Sequence, residues 1–382
     1  MENTEQLLIT QPRDYAFAQD GDDALRLDCG QTLKEVTLRY ECAGTLSPER
    51  DNAILILHAL SGDAHCCGKH APDDRKPGWW DEMIGPGKYI DTNRYFVVCS
   101  NVIGGCSGST GPRSIDPATG KRYNMTFPVI TIADMVRAQH RLMKFLGIER
   151  WLSVVGGSMG GMQVLEWAVL YPGEVKSAIP IATTAQLSPQ SIAFDWVGRE
   201  AIQYDVNWRN GDYEEKVPDR GLSTARMLAH ITYLSDESMA RKFGRNLQEN
   251  TEYGFNFSRD FAVESYLEHQ GRRFVERFDA NSYCYITRAM DYFDLADRAG
   301  GDLAQALAAA TADFLVVSFS SDWLFPTSQS RAIVHALLKN QLNVNFCEIE
   351  SSYGHDAFLL EVETLGTMIR GFLDNQRKGG RA

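Results

Sequence analysis

Ser158 sits in Gly156-Gly157-Ser158-Met159-Gly160, a G-x-S-x-G pattern with an apolar run on one side and "MQVLEWAVLYP" on the other. A strand, a tight glycine-flanked turn and a helix are what a nucleophile elbow requires, because the strained turn lifts the hydroxyl clear of its neighbours. A serine hydroxyl attacks poorly unless a base takes its proton, and that base must itself be held in orientation. Two later residues fit these needs in the chain order Ser, Asp, His. Asp322 follows the apolar run "FLVVSFS", and His355 follows "NFCEIE" and a glycine. Asp356 is a rival carboxylate, but it is adjacent to the base rather than across from it. The oxyanion of a tetrahedral intermediate needs two preorganised donors. The backbone N–H of Met159, next to the serine, is one candidate, and that of Leu60 in "HALSGDAH" is the other. The chemistry these residues suit is acyl transfer through a serine ester.

The elements that must position them can be read from hydrophobic patterning. "NAILILHAL" (52–60), "RYFVVCSNV" (94–102), "RWLSVVGGS" (150–158), "KSAIPIATT" (176–184), "ADFLVVSFS" (312–320) and "VNFCEIE" (344–350) each read as a strand buried on both faces. "TIADMVRAQHRLMKFLG" reads as a helix that starts on a Thr131/Asp134 capping box and stops at Gly147. Strand, helix and strand in succession predict a mostly parallel, doubly wound sheet. "ALRLDCGQTLKEVTLRYECAG" alternates apolar and polar residues and is expected as an antiparallel edge hairpin. From about 185 to 309 the strand signal gives way to helical segments before the sheet resumes. This predicts a core of residues 1–184 and 310–382 with a helical lid, 185–309, inserted in it.

With 382 residues, 44% of them hydrophobic, the chain can fill a sizeable core, and a formal net charge of −12 with no basic patch argues against a nucleic-acid partner. The start, "MENTEQLLITQPRDYAF", has neither a basic nor an apolar leader region, and no apolar run is long enough for a membrane span. A soluble, cytoplasmic protein is expected. The eight cysteines lack a CxxC pair and are expected as buried, reduced thiols, with no metal site among them.

Longer motifs carry a resemblance. "HALSGDAH", "RKPGWWDEMIGPGKYIDT", "NVIGGCSGSTGP", "VVGGSMGGMQ", "RGLSTARMLAHITYLSD", "FDANSYCYITRAMDYFD" and "YGHDAFL" together resemble the homoserine O-acyltransferases of the α/β-hydrolase fold, in the acetyl-using branch. The resemblance runs through nearly the whole chain. It implies a ping-pong reaction in which Ser158 takes the acetyl group of acetyl-CoA and passes it to the hydroxyl of L-homoserine. His355 serves as the base in both halves and Asp322 orients it. No permanently bound cofactor is implied, and a homodimer is. The family's recognition of the amino-acid end of homoserine maps onto Arg226 and Asp356, a guanidinium for the carboxylate and an anion for the ammonium. A succinyl donor would bring a second carboxylate into the acyl pocket, which demands a cation; Leu324, beside Asp322-Trp323, offers an apolar side chain and points to acetyl. A succinyltransferase, or an esterase or thioesterase using water, is the alternative carried by the same triad.

Overall fold

The computed structural model describes residues 7–19, 23–248 and 251–378. Residues 1–6, on which part of the no-leader expectation falls, lie outside them. Eight strands form one sheet: β1 (Arg13–Phe17), β2 (Val36–Ala43), β3 (Ala53–Leu57), β4 (Phe96–Ser100), β5 (Ser153–Gly157), β6 (Ser177–Ile181), β7 (Asp313–Phe319) and β8 (Val344–Ile349). Their spatial order is β1-β2-β4-β3-β5-β6-β7-β8. β2 runs antiparallel to both its neighbours, and from β4 to β8 every pairing is parallel. The central strands are the apolar runs of the sequence. Every residue of β3, β5 and β6 is buried.

Alternation along these strands divides the core into two layers. Leu55, Leu57, Val154, Phe314 and Val316 pack on one face with helices α1 (Ile132–Phe145) and α2 (Met159–Leu170). Ile54, Ile56, Val155, Leu315 and Val317 pack on the other with the C-terminal helix, through Leu365, Ile369 and Leu373. Helices cover both faces, as a parallel sheet requires. The start of α1 is the predicted capping box. The Thr131 hydroxyl accepts from the Asp134 N–H at 3.2 Å, and the Asp134 carboxylate accepts from the Thr131 N–H at 3.0 Å. Gly147, at φ +67°, turns the chain away after the helix.

Three expectations need correction. β8 is not buried on both faces: it is the sheet edge, and Asn345, Phe346 and Glu348 are exposed. The N-terminal stretch is not an edge hairpin. Leu25–Arg26 and Thr32–Leu33 form a small ladder of their own, whereas β2 lies inside the main sheet, covered by β1 at the edge. β2 alternates in burial, so its sequence looks like an edge although it pairs with β1 along Val36–Tyr40 and with β4 along Tyr40–Ala43. The cysteines are all free, but only Cys66, Cys67, Cys99 and Cys284 are buried; Cys29 is exposed and Cys42, Cys106 and Cys347 are half-buried. Cys29 sits in the exposed turn of the small ladder, and Cys347 lies on the edge strand, where it only partly packs against the core.

Between β6 and β7 the chain makes a helical excursion: α3 (Pro189–Gln203), α4 (Asp219–Tyr233), α5 (Asp236–Phe243), α6 (Ala262–Val275), α7 (Ala280–Asp291) and the short α8 (Leu303–Ala306). Its ends are stapled together, Leu187 N–H to Phe293 C=O at 3.0 Å and Leu295 N–H to Ala185 C=O at 2.9 Å. None of the described helices is long and apolar enough to cross a membrane. Thr131→Ala removes one arm of the capping box and the hydroxyl's 2.7 Å bond to Asp28. It is expected to cost about 1 kcal/mol, read as a lower urea midpoint at unchanged m-value.

Candidate active site

The residue between β5 and α2 is Ser158, and its backbone is forced. It sits at φ +58°, ψ −126°, a region that L-residues rarely occupy. The cause is close backbone approach. A Cβ on Gly160 would lie 2.1 Å from the Leu57 carbonyl oxygen at the end of β3, and one on Gly156 would lie 2.5 Å from the Gly160 carbonyl carbon. The helix therefore starts hard against the sheet, and the chain must turn sharply at Ser158. The Ser158 N–H is tied to Ile181 C=O at 3.0 Å, and the Thr183 hydroxyl donates to Ser158 C=O at 2.8 Å. These bonds from β6 and its following loop hold the strained turn.

The strands also deliver the other two residues. Asp322 follows β7 and is buried; its Oδ1 accepts from the N–H groups of Leu324 at 3.0 Å and Phe325 at 2.9 Å. Its Oδ2 lies 2.8 Å from His355 Nδ1. His355 follows β8, after Gly354 at φ +73°, where a side chain would strike the backbone of Tyr233 and Leu234. Burial works against a charged imidazole here, but the charge and hydrogen bond of Asp322, with Asp356 beyond, more than offset it and hold the His355 pKa above the ordinary value. With Nδ1 committed to Asp322, Nε2 is left to face the site. Tyr233 and Phe325 pack on the His355 ring at centroid distances of 5.8 and 5.1 Å, and both also line the cavity that contains Ser158. The hydrogen bonds among the described residues join His355 to Asp322 and not to Ser158, the loose arrangement that a site without substrate commonly has.

That cavity measures about 50 Å³ and is bounded by Leu60, Ser158, Leu228, Met290, Leu324 and Phe325 together with residues of α3, α4 and α7. Among the described residues, neither the Leu60 N–H nor the Met159 N–H donates to another protein group. The first is in the turn after β3 and the second in the first turn of α2, where such donors lack intrahelical partners. Arg226, on α4, bonds the Ser61 hydroxyl at 3.3 Å and lies between aromatic rings, 4.7 Å from Phe274 and 5.5 Å from Tyr233. It has no carboxylate partner among the described residues. Asp356 begins a short helical turn, Ala357–Leu360, yet makes no capping bond. Burial pushes its pKa above the usual carboxylate range, and His355 and Arg226 only partly pull it back.

A second cluster lies apart from this site. Glu41 on β2 accepts from Thr10 at 2.7 Å, with His65 Nδ1 at 2.9 Å and His70 Nε2 at 2.8 Å. Two imidazoles and a carboxylate are a donor set for a zinc-like ion. Both carboxylate oxygens are already engaged, and the trio braces the loop downstream of Leu60 against the sheet.

Comparison with known proteins places the fold in a family. The alpha/beta hydrolase fold family matches residues 52–362. A relative from Solidesulfovibrio magneticus named homoserine O-acetyltransferase is 57% identical over 358 residues, 93% of this chain and 90% of its own. The chain belongs to the homoserine O-acetyltransferase family. A crystal structure titled homoserine O-acetyltransferase from Bacillus anthracis superposes with a TM-score of 0.90 at 32% identity, covering 96% of this chain and 98% of that one. One titled esterase E22 superposes with a TM-score of 0.87 at 30% identity, covering 96% and 100%. This member of the homoserine O-acetyltransferase family also places Asp195, Tyr233 and Tyr283 at the serine cavity, none of which the sequence singled out. The available signal was spacing: Ser191, Phe194 and Asp195 fall on one face of α3.

Gly160→Ala should destabilise the fold by at least the roughly 1–3 kcal/mol of an overpacked core. Urea unfolding checks this, and fluorophosphonate labelling of Ser158 should slow in the same variant.

Proposed function

We propose that this chain transfers an acetyl group from acetyl-CoA to the hydroxyl of L-homoserine, giving O-acetyl-L-homoserine, a precursor for methionine, and CoA. His355 Nε2 takes the Ser158 proton as Oγ attacks the thioester carbonyl. The oxyanion is met by the N–H groups of Leu60 and Met159. Collapse expels the CoA thiolate, which recovers the proton from His355, and leaves acetyl-Ser158. The homoserine hydroxyl then gives its proton to His355 and attacks the ester, and Ser158 departs with that proton. Asp322 fixes the imidazole with Nε2 toward the reacting atoms and stabilises its charged form. No cofactor is needed beyond the co-substrate.

The observation that carries this function is a pair of opposite charges beside the triad, Arg226 and Asp356, neither of which has a salt-bridge partner among the described residues. Arg226 and Asp356 complement the two ends of an amino-acid zwitterion, and Asp356 adjoins the base that must activate its hydroxyl. Leu324 on the acyl side favours acetyl over succinyl, because nothing apolar can offset a buried carboxylate. Exposed Trp196, Val197, Tyr204 and Val206, on and after α3, support the pairing of two copies through this block. Unpaired cysteines and a CoA thioester as donor support a cytoplasmic enzyme. Ester hydrolysis is the second reading, favoured by the similarity to esterase E22.

CoA release from acetyl-CoA should depend on L-homoserine; equal rates with and without it would leave hydrolysis as the function. Arg226→Ala should raise the homoserine KM by tens-fold, as a lost charge-assisted contact of about 2–3 kcal/mol implies, while the initial burst of CoA persists. The base must be neutral to work, so turnover should fall as pH drops through the raised His355 pKa, above the ordinary value of about 6.5. Asp322→Asn removes the charge that raises it, so in a pH–rate profile the limb should move to lower pH and the plateau should fall by about 10³–10⁴.

A further inference from the structure

One carboxyl in the serine cavity has no hydrogen-bond partner among the described residues. Asp195, on α3, lines the cavity beside Phe194, and its Oδ2 is closed off from solvent without a hydrogen bond. Buried polar atoms are nearly always satisfied, so an orphan of this kind calls for an explanation. The nearest cation along the helix is Arg199, one turn on, and it is spent elsewhere. Its Nη2 donates to Asp291 Oδ2 at 2.5 Å and its Nη1 to the Thr287 hydroxyl at 3.0 Å. No Lys or Arg is among the residues lining the cavity. Burial, and then the neighbouring Asp291, push the Asp195 carboxyl well above the usual range, and the charge of Arg199 only partly pulls it back. The cavity is thus lined by apolar side chains and hydroxyls, and the one carboxyl built into it is that of Asp195.

On the proposed function, this cavity beside Ser158 and Leu324 receives the acyl group. We propose that Asp195 is a specificity-determining residue for the acyl donor: it rejects acyl chains that end in a carboxylate, so donor choice rests on Asp195 and Leu324 together. An acetyl group ends in a methyl and needs only the apolar contacts of Leu228, Met290, Leu324 and Phe325. A dicarboxylic acyl chain carries a second carboxylate into a cavity of about 50 Å³ that already holds an acid. Two carboxyl groups at close range cannot both ionise, and the cavity lining supplies no Lys or Arg to offset either. An arginine placed at position 324 would be drawn into an ion pair with Asp195 and lose its value to an incoming anion. The two positions are thus coupled, one withholding a cation and the other rejecting an anion.

The test measures the first CoA release, which reports acylation whatever the acceptor, with acetyl-, butyryl- and succinyl-CoA. Butyryl matches succinyl in chain length without the charge, so the succinyl-to-butyryl ratio cancels size and general damage. Asp195→Asn should raise that ratio about tenfold, Leu324→Arg alone should move it less than about threefold, and the double variant should exceed the product of the two, as coupled neighbours do. If Asp195→Asn fails to fold, Asp195→Ser carries the same comparison. A ratio that stays within about twofold in the Asp195 variant, with a double variant no higher than Leu324→Arg, would overturn the proposal. Homoserine-independent release by the wild type counts against the acceptor reading alone, since the donor ratio is read before the acceptor enters.

Discussion

Gly160 leaves no room for a side chain because the first turn of α2 rests on the last carbonyl of β3, a Cβ there falling 2.1 Å from Leu57 O. That contact sets the entry of α2 and therefore the unfavourable backbone angles of Ser158, a strain of about 1–3 kcal/mol that the surrounding bonds must hold. The same contact brings the turn after β3 beside the start of α2, which is why Leu60 and Met159 N–H groups share one neighbourhood. The strand order does the rest. In a parallel sheet all the loops after the strands emerge at one edge, so the turns after β3, β5, β7 and β8 deliver Leu60, Ser158, Asp322 and His355 to the same place from four distant parts of the chain.

The sequence shows Leu60, Ser158 and Asp322 because each follows a nearly uninterrupted apolar run, whereas His355 is marked by its place after the last strand and a glycine. β3, β5 and β6 are covered on both faces, so burial writes itself into every position and no alternation confuses the pattern. The edges lack that signature. β1 has an irregular pattern of exposure, and β8 is half open to solvent, so neither carries a burial pattern from which its place could be read. The Thr131 cap is legible for a different reason: its partners are three residues apart, and local geometry needs no tertiary context. Asp195 is the opposite case. It sits in mid-helix with no motif around it, and only the packing of α3 against α4, α7 and the serine shows that its carboxyl has been left unpaired.

The helical excursion is tied to the chemistry through the loop after β3. Arg226 of α4 bonds the Ser61 hydroxyl, and Arg277, just past α6, donates to the Ser61 carbonyl at 2.8 Å. Two cations from the excursion thus grip the residue next to Leu60. His230, one turn from Arg226, is pushed down to about 3 by burial and by Arg226, Lys242 and Arg277, so it adds no competing charge. The positive field at this end of the site therefore stays with the arginines.

Similarity to both an acetyltransferase and an esterase locates the choice of acceptor outside the elbow. A serine ester is attacked by whatever hydroxyl reaches it, and water is the most abundant. An acceptor wins only if binding places its hydroxyl at the ester while water is kept away. On the proposed function Arg226 and Asp356 supply the first condition, because neither has a salt-bridge partner among the described residues and an amino acid offers both ends where water offers none. The narrow cavity enclosed by α3, α4 and α7 supplies the second, since the residues that define its walls are largely apolar. Both conditions come from the helical excursion and from the residue beside the base, not from the triad. A shared triad therefore carries either outcome, and the charges around it decide which hydroxyl is taken.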